Sequence, residues 1–432
     1  MRSLSHGTLV LLLYLAVWNI GHIVGQAPDK SSPPVMEEST CEMMKRPSSA
    51  KHVVVLVHGI MGTHKELGYV KEALEREFKR ALSSEESIRD TEQFVVHSAS
   101  CNDDNTLDGI EAGGRRLAIE INELLQNETK HGHVALSILG NSLGGLYARY
   151  ALPHIDWNLG GHTNAETLVF PNVFITTATP HLGLRDMTIL PLPRSVQSAG
   201  ASHLKASGRD LFQYTDTIHH LCLDPEFLRP LAKFSKRIAF ANAFSTDGPV
   251  ITSTAAFLSE SSSTIHRLVE TSFGDSHPDK DFGLHVQSPY PAIRFETEKT
   301  FKEASELVEQ DDSSNPRDHK GSLENVELDS KRLDSLGWTK IFVDVRSHIP
   351  ALWSRGQRRR NFEDTAKEKT EFTSGELFSR LSPFDWNTLP FAHSFMVAST
   401  KNNIYQWFYS GGRPLVDRIA RELVREMLGE HY

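Results

Sequence analysis

The stretch HVALSILGNSLGGLYARYAL, His133–Leu152, decides how this chain reads. HVALSIL is an apolar run of strand-like length, the pattern of a strand buried on both faces of a parallel sheet. SLGGLYARYAL opens a helix. Between them, Gly140-Asn141-Ser142-Leu143-Gly144 matches G-x-S-x-G, a strand–turn–helix elbow that exposes its serine. The turn is tight, and side chains at its glycine positions would collide with the strand and the helix. The helix N-terminus behind Ser142 offers free N–H groups and the positive end of its dipole to a developing oxyanion. The competing reading is a helix-capping serine in a glycine-rich turn. The strand before Ser142 and the helix after it favour the elbow.

Outward from this stretch, strand and helix patterns alternate. HVVVLVHG is a continuous β-branched run, and QFVVHSAS, NVFITTAT, RIAFANAF and KIFVDV (Lys340–Val345) read as further strands. KELGYVKEALEREFKRAL repeats Val70, Leu74 and Phe78 every four residues. In GIEAGGRRLAIEINELLQ, Ile110, Leu117, Ile121 and Leu124 share a helix face. Strands alternating with helices predict an α/β fold with a mostly parallel sheet and helices on both faces. The expected layout is a core over 51–303, a helical cap at about 184–236, a disordered polar insertion at 304–334 and the rest of the core at 335–432. The stretch up to Thr370 is a second flexible insert, and its RGQRRR cluster (Arg355–Arg360) reads as a solvated loop.

A serine hydroxyl needs a histidine to take its proton and a carboxylate to orient that histidine. In a chain built this way the order is Ser, then Asp or Glu, then His. Asp247, in a Gly-Pro turn just past RIAFANAF, is the expected acid. Asp186 and Asp224 fall in the cap, and Asp344 falls inside a strand, where a carboxylate would be costly. The base is left open by spacing between His348 in VDVRSHIP and His393 in LPFAHSFMVAS. His181 precedes the acid, against the expected order, and His58 is expected to bond within its own loop. The loop LVHGIMG (Leu56–Gly62) follows the first long strand, so the backbone N–H groups of Ile60 and Leu143 are the expected oxyanion-hole pair.

VVLVHGIMGT, GNSLGGLYARYAL, TATPHLG, RIAFANAFSTDGPV and PFAHSFMVAS together resemble the eukaryotic "putative serine esterase" or lipase-like family of α/β-hydrolases. The resemblance covers about Lys51 to Phe257 and Leu336 to Val397. It implies Ser142 as nucleophile, Asp247 as acid and His393, not His348, as base. It implies an α/β-hydrolase fold and cleavage of acyl ester bonds of lipids through an acyl-enzyme, with TPHLG at the mouth of the acyl pocket. Transacylase or thioesterase action by the same triad, and an inactive lipid-binding protein, are the alternatives.

No cofactor or metal is expected: there is no Cys/His ligand spacing and no nucleotide-binding glycine loop. The net charge of −9 carries no basic footprint for nucleic acid. The partners expected are an acyl-lipid substrate and a peripheral membrane contact. One arginine followed by the apolar run Thr8–Trp18, a polar Asn19 and the small Gly25 has the layout of a secretory signal peptide over residues 1–25, with a signal anchor as the alternative. Residues 26–50 follow as a Pro/Ser-rich linker. The endoplasmic reticulum lumen or the exterior is then the expected location. Cys41, Cys101 and Cys222 allow at most one internal disulfide, and Asn127-Glu-Thr is a glycosylation sequon.

Overall fold

KHVVVLV, Lys51–Val57, forms strand β1, and every residue from His52 to Val57 is buried. Its side chains alternate between two cores: Val53, Val55 and Val57 join one, Val54 and Leu56 the other. Burying both faces is why the run lacks polar alternation. The computed structural model describes residues 46–47, 49–82, 94–159, 168–185, 194–248, 250–270, 291–300, 323–346, 349 and 369–429. Ala50–Tyr432 is one compact unit. The expected signal segment, Cys41, His348 and the RGQRRR cluster lie outside the described residues.

The other strands are β2 (Phe94–Ser98), β3 (Val134–Asn141), β4 (Val169–Thr177), β5 (Lys236–Asn242), β6 (Ile265–Glu270), β7 (Ala292–Thr297), β8 (Thr339–Val343) and β9 (Glu371–Thr373). They form one sheet in the order β2-β1-β3-β4-β5-β8-β7-β6-β9. From β2 to β8 every neighbouring pair is parallel. From β8 through β7 and β6 to β9 every pair is antiparallel. The helices Ile110–Glu128 and Leu143–Ala151 pack into one core, and Gly68–Leu82 and Arg413–Leu428 into the other. Val70, Leu74 and Phe78 are buried as their spacing requires, as are Ile110, Leu117 and Ile121. After β1 the chain steps out to β2 and returns to β3 on the other side of β1. This reversal puts a topological switch point at the carboxyl ends of β1 and β3, the position at which open α/β sheets bind ligands. Strand order, helices on both faces and the elbow after β3 make this an α/β-hydrolase fold.

Between β4 and β5 run four short helices, Arg194–His203, Lys205–Leu211, Thr217–Leu223 and Pro225–Ala232. Asp210, on the second, accepts the Ile110 N–H at 2.8 Å and so caps the Ile110–Glu128 helix from another segment. Cys101 and Cys222 are both free thiols. Asn127 is exposed near the end of its helix. Among the described residues no helix is long and apolar enough to cross a membrane.

Two expectations need correction. Strand β8 ends at Val343, so Asp344 lies beyond the strand, where Arg346 neutralises it with a 2.7 Å ion pair. The expected disordered insertion at 304–334 ends instead in a helix, Leu323–Asp334. Its polar composition hid a buried face whose partners are distant in sequence. Leu333 is fully buried, Ser330 donates to the Phe257 carbonyl at 2.6 Å, and Asp329 pairs with His219 at 2.8 Å. Asp334, at its end, meets Lys340 of β8 at 2.6 Å with both side chains wholly buried. Lys340 also donates to His266 Nε2 at 2.8 Å and lies 3.9 Å from the centre of the Phe257 ring. Burial raises the Asp334 carboxyl and lowers the Lys340 ammonium, and each holds the other charged. Removing one partner strands a buried charge, whereas replacing both does not. Lys340→Met should therefore cost about 3–5 kcal/mol in urea unfolding, and adding Asp334→Leu should recover most of it. Equal stability of Lys340→Met and wild type would contradict this role.

Candidate active site

Ser142 stands at the end of β3 with φ +55° and ψ −129°, a left-handed conformation that non-glycine residues adopt at a cost of about 1–3 kcal/mol. Neighbours hold it there. The Ser142 N–H donates to the Thr177 carbonyl at 2.9 Å, and the Gly145 N–H donates to the Ser142 carbonyl at 3.1 Å. The loop after β1 presses close. A Cβ on Gly144 would lie 2.3 Å from the Val57 carbonyl oxygen, and one on Gly59 would lie 2.7 Å from Ser142 Cβ. Glycine at these positions lets the two strand ends touch.

The loop after β1 is tied down from the segment after β2. Met61 N–H donates to Thr106 Oγ1 at 2.8 Å, and His64 N–H to Asp103 Oδ1 at 2.8 Å. The His64 ring meets Asp103 Oδ2 at 2.5 Å. His58 is buried, with Nδ1 3.0 Å from the Gly59 carbonyl and Nε2 3.1 Å from Asp103 Oδ1, an ion-pair distance without hydrogen-bond alignment. The Met61 and Gly62 amides are thus taken, the second by the Gly59 carbonyl at 3.1 Å. The amides of Ile60, in this loop, and of Leu143, the residue after Ser142, have no acceptor among the described residues.

Asp247 lies past β5 and is fully buried. Its Oδ2 accepts from Asn242 Nδ2 at 3.1 Å and its Oδ1 from the Val250 N–H at 3.3 Å. His393 Nδ1 lies 2.8 Å from Asp247 Oδ2. An ionised carboxylate only accepts, so Nδ1 carries the proton and Nε2 keeps its lone pair. Backbone pairing delivers the two side chains to each other. Asp247 and Phe391 form an antiparallel bridge, Gly248 N–H donates to the Pro390 carbonyl at 3.1 Å, and Ala392 N–H to the Thr246 carbonyl at 3.3 Å. Burial lowers the His393 pKa, but the charge of Asp247, its hydrogen bond and the charge of Glu66 more than offset this, so it is raised above the ordinary value. Ser142 follows β3 and Asp247 follows β5, both at the carboxyl ends of parallel strands, and His393, from the segment after β9, reaches that edge through its contact with Asp247.

His181, the histidine before the acid in sequence, is committed elsewhere. His181 of TPHLG is wholly buried, Arg149 Nη1 donates to its Nδ1 at 3.2 Å, and its Nε2 lies 3.0 Å from Thr176 Oγ1. Burial and the Arg149 and Lys340 charges push its pKa well down, so it stays neutral within the core. Asp224 is an exposed partner of His220, and Asp186 lies outside the described residues.

Sequence reasoning missed the clamp around Arg346. Arg346 bonds both oxygens of Asp344, at 2.9 and 2.7 Å, and reaches Asp385 Oδ2 at 3.3 Å. Its guanidinium lies 4.2 Å from the centre of the Phe244 ring, and the Asp385 N–H donates to the Phe244 carbonyl at 3.1 Å. One arginine thus joins the end of β8, the turn before Asp247 and the segment that leads to His393. The VDVR string held the signal, but its partners Asp385 and Phe244 are far away in sequence.

Residues 47–261 match the model of the family described as Putative serine esterase (DUF676). No curated protein matches the chain. Among solved structures it is similar to the Bacillus licheniformis lipase BlEst2 in its propeptide form, with 15% identity over 46% of this chain and 37% of that one and a TM-score of 0.27. The mature form of the same lipase gives 19% identity, 46% and 69% coverage and a TM-score of 0.26. The Legionella pneumophila phospholipase PlaB in complex with thio-NAD gives 13% identity, 48% and 44% coverage and a TM-score of 0.31. The chain thus spans well under half the length of the propeptide form of BlEst2. Over residues 47–261, about half its length, the chain belongs to the Putative serine esterase family.

Proposed function

We propose that this protein is a serine carboxylic-ester hydrolase that cleaves acyl ester bonds of lipids, with Ser142, His393 and Asp247 as its catalytic residues. The hydrogen bond from His393 Nδ1 to the buried Asp247 carries the reading, because it leaves Nε2 as the free base. In the first step Nε2 takes the Ser142 hydroxyl proton as Oγ attacks the ester carbonyl. The carbonyl π electrons move to oxygen, and the Ile60 and Leu143 amides hold that oxyanion. The tetrahedral centre collapses, the imidazolium protonates the departing alkoxide, and an acyl-serine remains. Water, deprotonated by the same nitrogen, then attacks the acyl-serine and releases the fatty acid and Ser142. Asp247 stays ionised throughout and stabilises the imidazolium. The preference for acyl lipids is supported by the amphipathic helical segment between β4 and β5 and by the family resemblance. The apolar run at Thr8–Trp18 supports entry into the secretory pathway.

Ser142→Ala should lower kcat on p-nitrophenyl acyl esters by on the order of 10⁴-fold with little change in KM, the mark of lost transition-state stabilisation. Full activity in Ser142→Ala would refute the assignment. The pH dependence follows from the sign of the His393 shift. Only neutral His393 accepts a proton, so kcat/KM should rise with pH through a midpoint above about 6.5, the ordinary histidine value. The stability that the charged pair contributes runs the other way: it is fully present below about 6.5 and is lost as pH rises through the raised value. Asp247→Asn should move the kinetic midpoint down as well as reduce kcat. A midpoint unchanged in Asp247→Asn would remove His393 from the role of base.

A further inference from the structure

The helix Asn403–Phe408, NIYQWF, buries none of its side chains. Ile404 is 76% exposed, Trp407 78% and Phe408 38%. Residues three and four apart share a helix face, so these three lie side by side. Soluble surfaces seldom concentrate large apolar side chains in this way without a partner. The helix is firmly held all the same. The Asn402 side chain accepts from the Ile404 and Tyr405 amides at 3.0 Å each. On its inner side Tyr405 packs on Tyr409 at 5.4 Å between ring centres, and Tyr409 on Phe395 at 5.1 Å. The apolar face is therefore turned outward by design of the packing, since the aromatic rings of the inner side fill the contact with the body.

The position of this helix ties it to the candidate site. Phe408 lies 6.1 Å from Phe391 and 6.0 Å from Phe395, the residues that flank His393 in its short helix Ala392–Phe395. Just before it, Lys401 Nζ donates to the Met61 carbonyl at 2.5 Å, and the Thr400 N–H to the Glu66 carbonyl at 3.0 Å. Both acceptors belong to the loop after β1 that carries Ile60. The segment from Lys401 to Arg413 has a cation at each end and no acidic residue, in a chain whose net charge is −9. Three side chains of a six-residue helix fall far short of the roughly 800 Å² per partner that a stable protein interface buries. Trp and Tyr beside aliphatic residues, flanked by cations, suit the boundary between lipid headgroups and acyl chains.

We propose that Ile404, Trp407 and Phe408 form a docking surface for an anionic lipid bilayer, which would bring the bilayer beside the His393 loop. The purpose of this surface rests on the acyl-lipid esterase reading, but its existence does not. The test uses the full chain carrying Ser142→Ala, so that vesicles are not consumed and a failure of the esterase reading leaves the binding result intact. Cosedimentation with vesicles of phosphatidylcholine and phosphatidylglycerol is compared before and after adding Ile404→Ser and Trp407→Ser. The apolar run Thr8–Trp18 is common to both proteins, so the difference reports the helix. The partition coefficient should fall about a hundredfold on loss of two inserted apolar side chains, with the thermal midpoint unchanged. Brominated lipid should quench part of the tryptophan emission, and the quenched part should shrink in Trp407→Phe, a variant that keeps the surface apolar. Equal partition of the two proteins, or quenching undiminished in Trp407→Phe, would overturn the proposal. A concentration-dependent dimer that Ile404→Ser and Trp407→Ser dissolves, without vesicle binding, would overturn it in favour of a second copy.

Discussion

The contact between Asp247 and His393 joins two parts of the chain 146 residues apart, and much of the carboxyl edge of the sheet is arranged around it. A carboxylate with no exposure is costly unless it is fully hydrogen-bonded. Asn242, the Val250 amide and His393 supply those bonds. The long excursion after β8 would leave His393 loosely placed if the ring were its only anchor. It is not. The backbone bridge at Phe391 and the Arg346 clamp to Asp344, Asp385 and Phe244 return the excursion to the ends of β5 and β8.

The opposing half of the site depends on close approach instead of charge. Ser142 keeps its left-handed backbone because the strand behind it, the helix after it and the glycines of the β1 loop leave no room for another arrangement. Asp103 and Thr106 fix that loop from the segment after β2. The two halves meet again through Lys401 and Thr400, which bind the loop after β1 from the segment just beyond His393. Strain at one residue is thus borne by several elements, as expected where a functional group must be held in a conformation that the chain does not prefer.

How legible the molecule was in its sequence follows from the range of the forces involved. The β1 and β3 runs and the helices repeating Val70–Leu74–Phe78 and Ile110–Leu117–Ile121 declare themselves locally, through burial periodicity. Strands β6, β7 and β9 were missed because they form the antiparallel end of the sheet and are half polar, with Ile265 and Val269 about half exposed. The Leu323–Asp334 helix was missed because Phe257, His219 and Lys340, which satisfy its polar face, are remote or on another element. Ser142 stood out not by the turn alone but by the turn together with the strand before it and the helix after it. The choice of His393 over His348 came from resemblance, since spacing left both open. The anchors at Asp103 and Thr106 carried no local signal, Arg346 showed only its Asp344 half in VDVR, and the outward face of Asn403–Phe408 has an apolar spacing that reads in sequence like that of a buried helix.

The central claim is that His393 makes Ser142 nucleophilic. The most direct measurement is to treat the folded protein with a fluorophosphonate and locate the adduct by peptide mass spectrometry, alongside His393→Ala. The account predicts one phosphonylated residue, Ser142, in wild type and its loss in His393→Ala. An adduct on another serine, or equal modification of Ser142 in both proteins, would contradict it.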